Sequence, residues 1–247
     1  TDTGEKIAAL NLSDVRSKLK PVAETIGLVK KQLPEGVALI GFAGAPWTVA
    51  CYMLQGKSGK EFSKAREFAY AQPGLMHTLI ERLTTATIDY LRMQIDAGVE
   101  AVQIFDSWAG LLTPAQFAQW VIAPTKKIAS ALRASHPHIP LIGFAKGASL
   151  QLGAYAKETN VDCIGIDQHT TMEYALSCRA HPTQTLQGNL DPLLLAYDLD
   201  GAKRETEAIL KKTAHRPRVF NVGHGFIPQT PIEHVAAISE IVRAWQD

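Results

Sequence analysis

The sequence predicts an α/β protein with a parallel sheet, read as one domain over residues 1–247. Three observations carry the prediction. Six short runs rich in β-branched and aromatic residues each close on Gly, Asp or Asn, as strands do where they enter turns. The segments between them carry helical periodicity and helix-start signals, and such alternation joins parallel strands through right-handed crossovers. Finally, 247 residues with 46% hydrophobic content suffice for one large core, since single α/β barrels run to about 250 residues.

In chain order, a helix is expected from about Leu12 to Leu33, followed by a strand in VALIGFAG from Val37. The charged segment from Lys60 to Ala71 reads as a helix of its own, and the longest helix runs from about Leu75 to Asp96. A second strand, AVQIFD from Ala101, precedes a helix opened by Thr113-Pro114-Ala115-Gln116, which offers an N-cap, a Pro at the first turn and a reciprocal Gln. Strands follow in PLIGFAKG from Pro140, DCIGID from Asp162, TLQGNLD from Thr185 and RVFNVGHG from Arg218. Asp191-Pro192 opens another helix, and Thr230-Pro231-Ile232-Glu233 repeats the capping signal before the last. No strand alternates cleanly, so all are expected to be buried on both faces.

Periodicity leaves two architectures open. One is an open doubly wound sheet of six strands; the other is a TIM (β/α)8 barrel truncated here to six strand-helix units, with its first two before Thr1. A dinucleotide-binding version of the first is disfavoured, because GFAGAP carries glycine only at Gly41 and Gly44 rather than in G-x-G-x-x-G spacing.

Lys and Arg total 25 against 24 Asp and Glu, so no overall field draws the chain to nucleic acid or anionic lipid, and selectivity for an anion must be local. Cys51, Cys163 and Cys178 are odd in number and lack C-x-x-C spacing, which argues against disulfides and structural zinc and for a cytoplasmic location. No apolar run approaches the roughly 18 to 20 residues that span a bilayer, and TDTGEKIAAL has no signal-peptide pattern, so no membrane association is expected. The start at Thr1, without Met, is expected to reflect processing or truncation.

In either architecture ligands bind beyond the carboxyl ends of the strands, and the residues there are polar. They are Tyr52 after GFAGAPW, Asp106 and Ser107 after QIF, Lys146 after GFA, Asp167 after GI, Asn189 and Asp191 after LQG, and His224 in NVGHG. For Asp167, Asn189 and Asp191 a turn or helix-cap role is the preferred reading. Lys146 reads first as half of an ion pair with a neighbouring acid, second as an aldolase-type Schiff-base lysine. His224 reads as a ligand contact, because Gly223 and Gly225 on either side let the backbone come close to a bound molecule. Ser107 lacks a G-x-S-x-G elbow and reads as a hydrogen-bond donor, and Tyr52 could instead anchor a core if its phenol had a buried partner. Asp106 with Asp167 could supply the carboxyl pair of a glycosidase, with no distance by which to judge them. No H-x-H or H-E-x-x-H pair is read as a metal site and no Walker loop offers nucleotide binding, so neither site is predicted.

Taken together, GFAGAPWTVACY (Gly41–Tyr52), QIFDSWAG (Gln103–Gly110), GFAKG (Gly143–Gly147), LQGNLDP (Leu186–Pro192) and NVGHGFIPQTP (Asn221–Pro231) resemble the uroporphyrinogen decarboxylases, from about Val37 to the carboxyl terminus. The resemblance implies a TIM barrel, usually a homodimer. It also implies removal of carbon dioxide from the acetate side chains of uroporphyrinogen to give coproporphyrinogen in heme biosynthesis, without metal or organic cofactor. Tyr52, Ser107 and His224 match family positions that contact substrate, and phenol, hydroxyl and imidazole can all donate to carboxylates. Phe42 and Phe105 would wall the pyrroles. An electron-rich pyrrole protonated at carbon would be the electron sink, stabilised by a carboxylate near its N–H groups.

The family's amino-terminal R-Q-A-G-R motif and the aspartate closing its next strand have no counterpart between Thr1 and Asp247, so no catalytic residue is assigned. The 247-residue polypeptide is therefore expected to be inactive alone. Gln168 stands where many relatives carry Trp, which leaves the wall of that loop open. Two unpaired parallel edges are expected to favour aggregation, pairing between chains or association with an amino-terminal fragment. The competing readings are a non-catalytic fragment that binds tetrapyrrole or dimerises, and a corrinoid methyltransferase relative, whose His-x-Cys zinc pattern is missing at Gly143–Gly147.

Overall fold

A computed structural model of the chain describes every residue except Thr1, Ser13, Lys57, Ser58, Lys60 and Asp247. Each apolar run forms a strand: β1 Ile40–Gly44, β2 Ala101–Asp106, β3 Leu141–Ala145, β4 Cys163–Gly165, β5 Thr185–Leu190 and β6 Arg218–Val222. All neighbours are parallel, and the order in the sheet is the order in the chain. That order decides between the two architectures. A doubly wound sheet reverses direction at a switch point and carries helices on both faces, whereas crossovers that always step the same way put the helices on one face and curl the sheet toward a barrel. The fold is TIM-barrel-like, with β1 and β6 as the edges of the sheet among the described residues.

Helix starts follow local chemistry. Thr113 and Gln116 form the capping box at Pro114–Phe117, and Asp191 accepts from Leu193 N–H at 2.8 Å to cap Pro192–Tyr197. The longest helix is Pro73–Asp96. Three expectations need correction. The helix expected from Leu12 to Leu33 is two, Val15–Lys18 and Lys20–Lys30, because Pro21 has no N–H to return to the preceding turn and starts a helix instead; Ser13 lies outside the described residues. The helix expected from Lys60 begins at Ser63, and Lys60 also lies outside the described residues. Thr230 does not cap the last helix. Its N–H is spent on Ile227 O in a turn, Pro231 takes the N-cap position, and the helix runs Ile232–Ala244. Among the described residues no helix is long and apolar enough to cross a membrane.

Side chains alternate across each strand. On β2, Val102 and Ile104 enter the helix-facing core, while Gln103 and Phe105 face the lumen. The helix-facing core reaches from Ile7 to Ile238 and includes Trp47, Leu91, Ile128 and Ile164. In the lumen, Gln187 Nε2 donates to Gln103 Oε1 across 3.3 Å, bridging β5 and β2. Burial on both faces describes β2 to β5 but not the edges, where β1 and β6 alternate because the lumen is open beside them.

Both edges are partly sealed by side-chain amides. Leu39 O and Ala45 N–H bond to β2, so the alternation of the strand turns the backbone groups of Phe42 outward. Gln94, buried on Pro73–Asp96, meets both of them: its Oε1 accepts from Phe42 N–H at 3.0 Å and its Nε2 donates to Phe42 O at 2.8 Å. On β6, Val222 N–H donates to Asn221 Oδ1 at 2.8 Å.

Candidate active site

At the carboxyl ends of the strands lies a cavity of about 350 Å³ whose lining includes Gln103, Phe105, Ser107, Phe144, Gln187 and His224. Phe105 and Phe144 stand in register on β2 and β3. With their neighbours they form an aromatic wall: ring centroids are 5.9 Å apart for Phe42 and Phe105, 6.0 Å for Phe105 and Phe144, and 6.3 Å for Phe144 and His224. Phe42 extends this wall beyond the enclosed space and is 60% exposed.

Of the three residues singled out for substrate contact, Ser107 and His224 line the cavity and Tyr52 does not. Tyr52 sits on the helix Pro46–Gln55, its ring edge-on to Phe62 at 5.3 Å and to Trp108 at 6.4 Å. It thus packs against the residue that follows Ser107. The His224 imidazole is held below its ordinary pKa, chiefly by desolvation and further by the nearby Lys146 ammonium, with Asp167 acting in the opposite direction. At pH 7 it is a neutral ring with one N–H to give. The flanking glycines differ in purpose from expectation: a side chain at Gly223 would run into the backbone of Gln168, whereas Gly225 faces open space. Gly223 therefore serves the packing of two loops, and only Gly225 leaves room beside the histidine.

Among the described residues no carboxylate oxygen lies within 4.0 Å of the Lys146 ammonium, which stands outside the cavity lining but near enough to His224 to act on its imidazole. Asp167 is engaged locally, accepting from Gly147 N–H at 2.6 Å, His169 N–H at 3.0 Å and the Thr170 hydroxyl at 3.3 Å. Asn189 donates to Asp167 O at 3.0 Å and Thr170 O at 2.6 Å. These are turn and cap roles, as read for both and for Asp191. Asp106 points away from the lumen. It is 1% exposed, accepts from the Thr48 hydroxyl at 2.6 Å, and is raised to a pKa of about 7 because burial outweighs that bond. Asp106 and Asp167 thus do not flank a common bond as a glycosidase pair would. His136-Pro137-His138 has the H-x-H spacing of metal sites and was not singled out from the sequence; His136 bonds Asp96 and Ser135. Among the described residues no group of three or more His, Cys, Asp or Glu is placed to share a metal ion.

A sequentially ordered parallel sheet with a ligand-sized, aromatic-walled cavity at its carboxyl mouth defines a barrel-type binding or catalytic protein. Comparison with known proteins narrows this. The family model of uroporphyrinogen decarboxylase matches residues 1–245. The uroporphyrinogen decarboxylase of Novosphingobium aromaticivorans is 47% identical over 240 residues, covering 96% of this chain and 70% of that protein, and the Granulibacter bethesdensis enzyme is 46% identical over 242 residues with the same coverage. A methyltransferase from Methanosarcina mazei superposes with a TM-score of 0.77 at 20% identity, over 93% of this chain and 67% of that one, a likeness of fold. The chain belongs to the uroporphyrinogen decarboxylase family.

Proposed function

We propose that the cavity receives uroporphyrinogen and serves the removal of carbon dioxide from its acetate side chains, giving coproporphyrinogen in heme biosynthesis. One observation carries this reading: in a chain of this family, an imidazole and a serine hydroxyl line a cavity walled by phenylalanines, with the Lys146 ammonium close enough to act on that imidazole. The ligand this suits is a flat, apolar ring system bearing carboxylates. Lys146 draws the anionic arms, Ser107 and the N–H of His224 donate to them, Tyr52 adds a phenol from the rim, and Phe105 and Phe144 cover the pyrroles and exclude water.

In the reaction a ring carbon takes a proton, the bond to the carboxylate breaks with its electron pair passing into the pyrrole to leave an exocyclic methylene, that methylene takes a proton in place of carbon dioxide, and the ring carbon gives its own proton back to restore the pyrrole. The scheme needs no metal or organic cofactor. A cationic ring calls for a carboxylate beside its N–H groups, and among the described residues none lines the cavity. A polypeptide of these 247 residues alone is therefore expected to bind tetrapyrrole without turning it over, as the non-catalytic alternative also holds. The proposed setting is a reducing cytoplasm, which suits three buried free cysteines, and the proposed assembly is a homodimer, checked by sedimentation equilibrium. A methyltransferase reading has only the fold in its favour.

Calorimetry with uroporphyrin, a stable oxidised analogue, tests the proposal. Binding should weaken with salt, and S107A, K146A and H224A should each lower affinity by roughly threefold or more. Absence of binding, or variants that bind like the parent, would refute it.

A further inference from the structure

Both chain neighbours of Ser107 are tied to the helix that carries Tyr52. Asp106 Oδ1 accepts from the Thr48 hydroxyl at 2.6 Å, the same hydroxyl oxygen accepts from Trp108 N–H at 3.4 Å, and Trp47 Nε1 donates to Trp108 O at 3.0 Å. A hydroxyl has one proton and spare lone pairs, so Thr48 serves Asp106 and Trp108 at once. Tyr52 lies one turn beyond Thr48 on the same helix face, and its ring meets that of Trp108. Asp106 is not part of the cavity lining. Its Oδ2 is buried without a partner among the described residues, an arrangement that costs stability and that an apolar side chain would avoid. Packing alone gives no reason for an acid here; the Thr48 contact does.

Resting on the substrate reading above, we infer that Asp106 is a positioning residue that acts through Thr48 to hold the Ser107 hydroxyl in place relative to the Tyr52 phenol. Two donors from successive strand-helix units are thereby presented together to one carboxylated ligand. The titratable groups that face Asp106 are Cys51 on the same helix as Thr48 and Tyr155 on Leu152–Thr159, both kept protonated chiefly by burial and further by the Asp106 charge. Neither can supply a counter-charge, so Thr48 is the polar contact through which the carboxyl is anchored.

The test is uroporphyrin affinity by fluorescence titration, with thermal unfolding, for the parent chain, T48V, D106L, D106N, S107A and T48V combined with S107A. T48V and D106L should weaken binding by about tenfold, and D106N, which keeps the acceptor oxygen, should stay within about twofold of the parent. In the S107A background T48V should cost nothing further, because groups that act as one unit are not additive. Equal losses in both backgrounds, or a T48V chain that binds like the parent, would overturn the inference. If the parent does not bind uroporphyrin, the substrate reading fails by itself. The clasp is then decided by amide hydrogen exchange, where T48V should speed exchange at Ser107 and Trp108 but not on β4; unchanged exchange at both residues would overturn it.

Discussion

On the helix-facing side of the sheet, Val102, Ile104, Ile164 and Leu186 sit in a core closed to water, while the lumen side of the same strands shows Gln103, Phe105, Phe144 and Gln187 to a cavity. The contrast separates two uses of apolar surface. Outward-turned side chains are spent on holding the helices; inward-turned ones remain available to a ligand, and at the edges they remain wet, as Phe42 shows. Four substitutions probe that division, in decreasing order of expected effect.

Ile164→Ala, on the closed face, should lower the unfolding free energy by about 2–5 kcal/mol in urea denaturation, as large-to-small changes in tight cores do. A loss under 1 kcal/mol, a rough floor for such changes, would mean the closed face is loosely packed. Asp106→Asn probes a buried acid on that face. The folded pKa of about 7 lies above the ordinary aspartate value near 4, so this acid contributes stability that is full below about pH 4 and lost as pH rises through about 7. The Asn variant should lack that decline and gain on the parent by on the order of 4 kcal/mol at pH 8. Identical pH–stability curves would show that the acid is not held protonated.

On the open face, Phe105→Ala should weaken uroporphyrin binding by roughly tenfold while costing less stability than Ile164→Ala. The reverse ranking would erase the distinction between faces. Gln187→Leu is the mildest: it strands the amide of Gln103 and should cost about 1 kcal/mol, and adding Gln103→Leu should restore most of it. Strictly additive losses in the double variant would show that the two amides act separately.

The strands were legible in the sequence because each ends on, or within two residues of, a Gly or Asp, as at Gly44, Asp106 and Gly165 or at Gly147, Asp191 and Gly223. Their order in the sheet was not, since right-handed crossovers satisfy a doubly wound sheet and a barrel alike. Strand-end reasoning found Ser107 and His224, and turn chemistry accounted for Asp167, Asn189 and Asp191. It misjudged Lys146, because the nearby acid was already saturated by backbone and hydroxyl donors. Phe144 was not singled out within GFAKG; counting two residues on from Ile142 and pairing β3 with β2 would have placed it beside Phe105. Thr48 and Gln94 left no signal, since a lone polar residue on a helix does not reveal which strand it will meet.

The amide of Gln94 imitates a neighbouring peptide, offering one acceptor and one donor to Phe42. A polypeptide that docks alongside β1 must therefore evict a resident mimic before it can bond there, trading two contacts for two. Growth of the sheet on that side becomes a displacement with little enthalpy to gain at this rung. Casual partners are turned away, and only a newcomer that also covers the exposed phenylalanine ring has something to win.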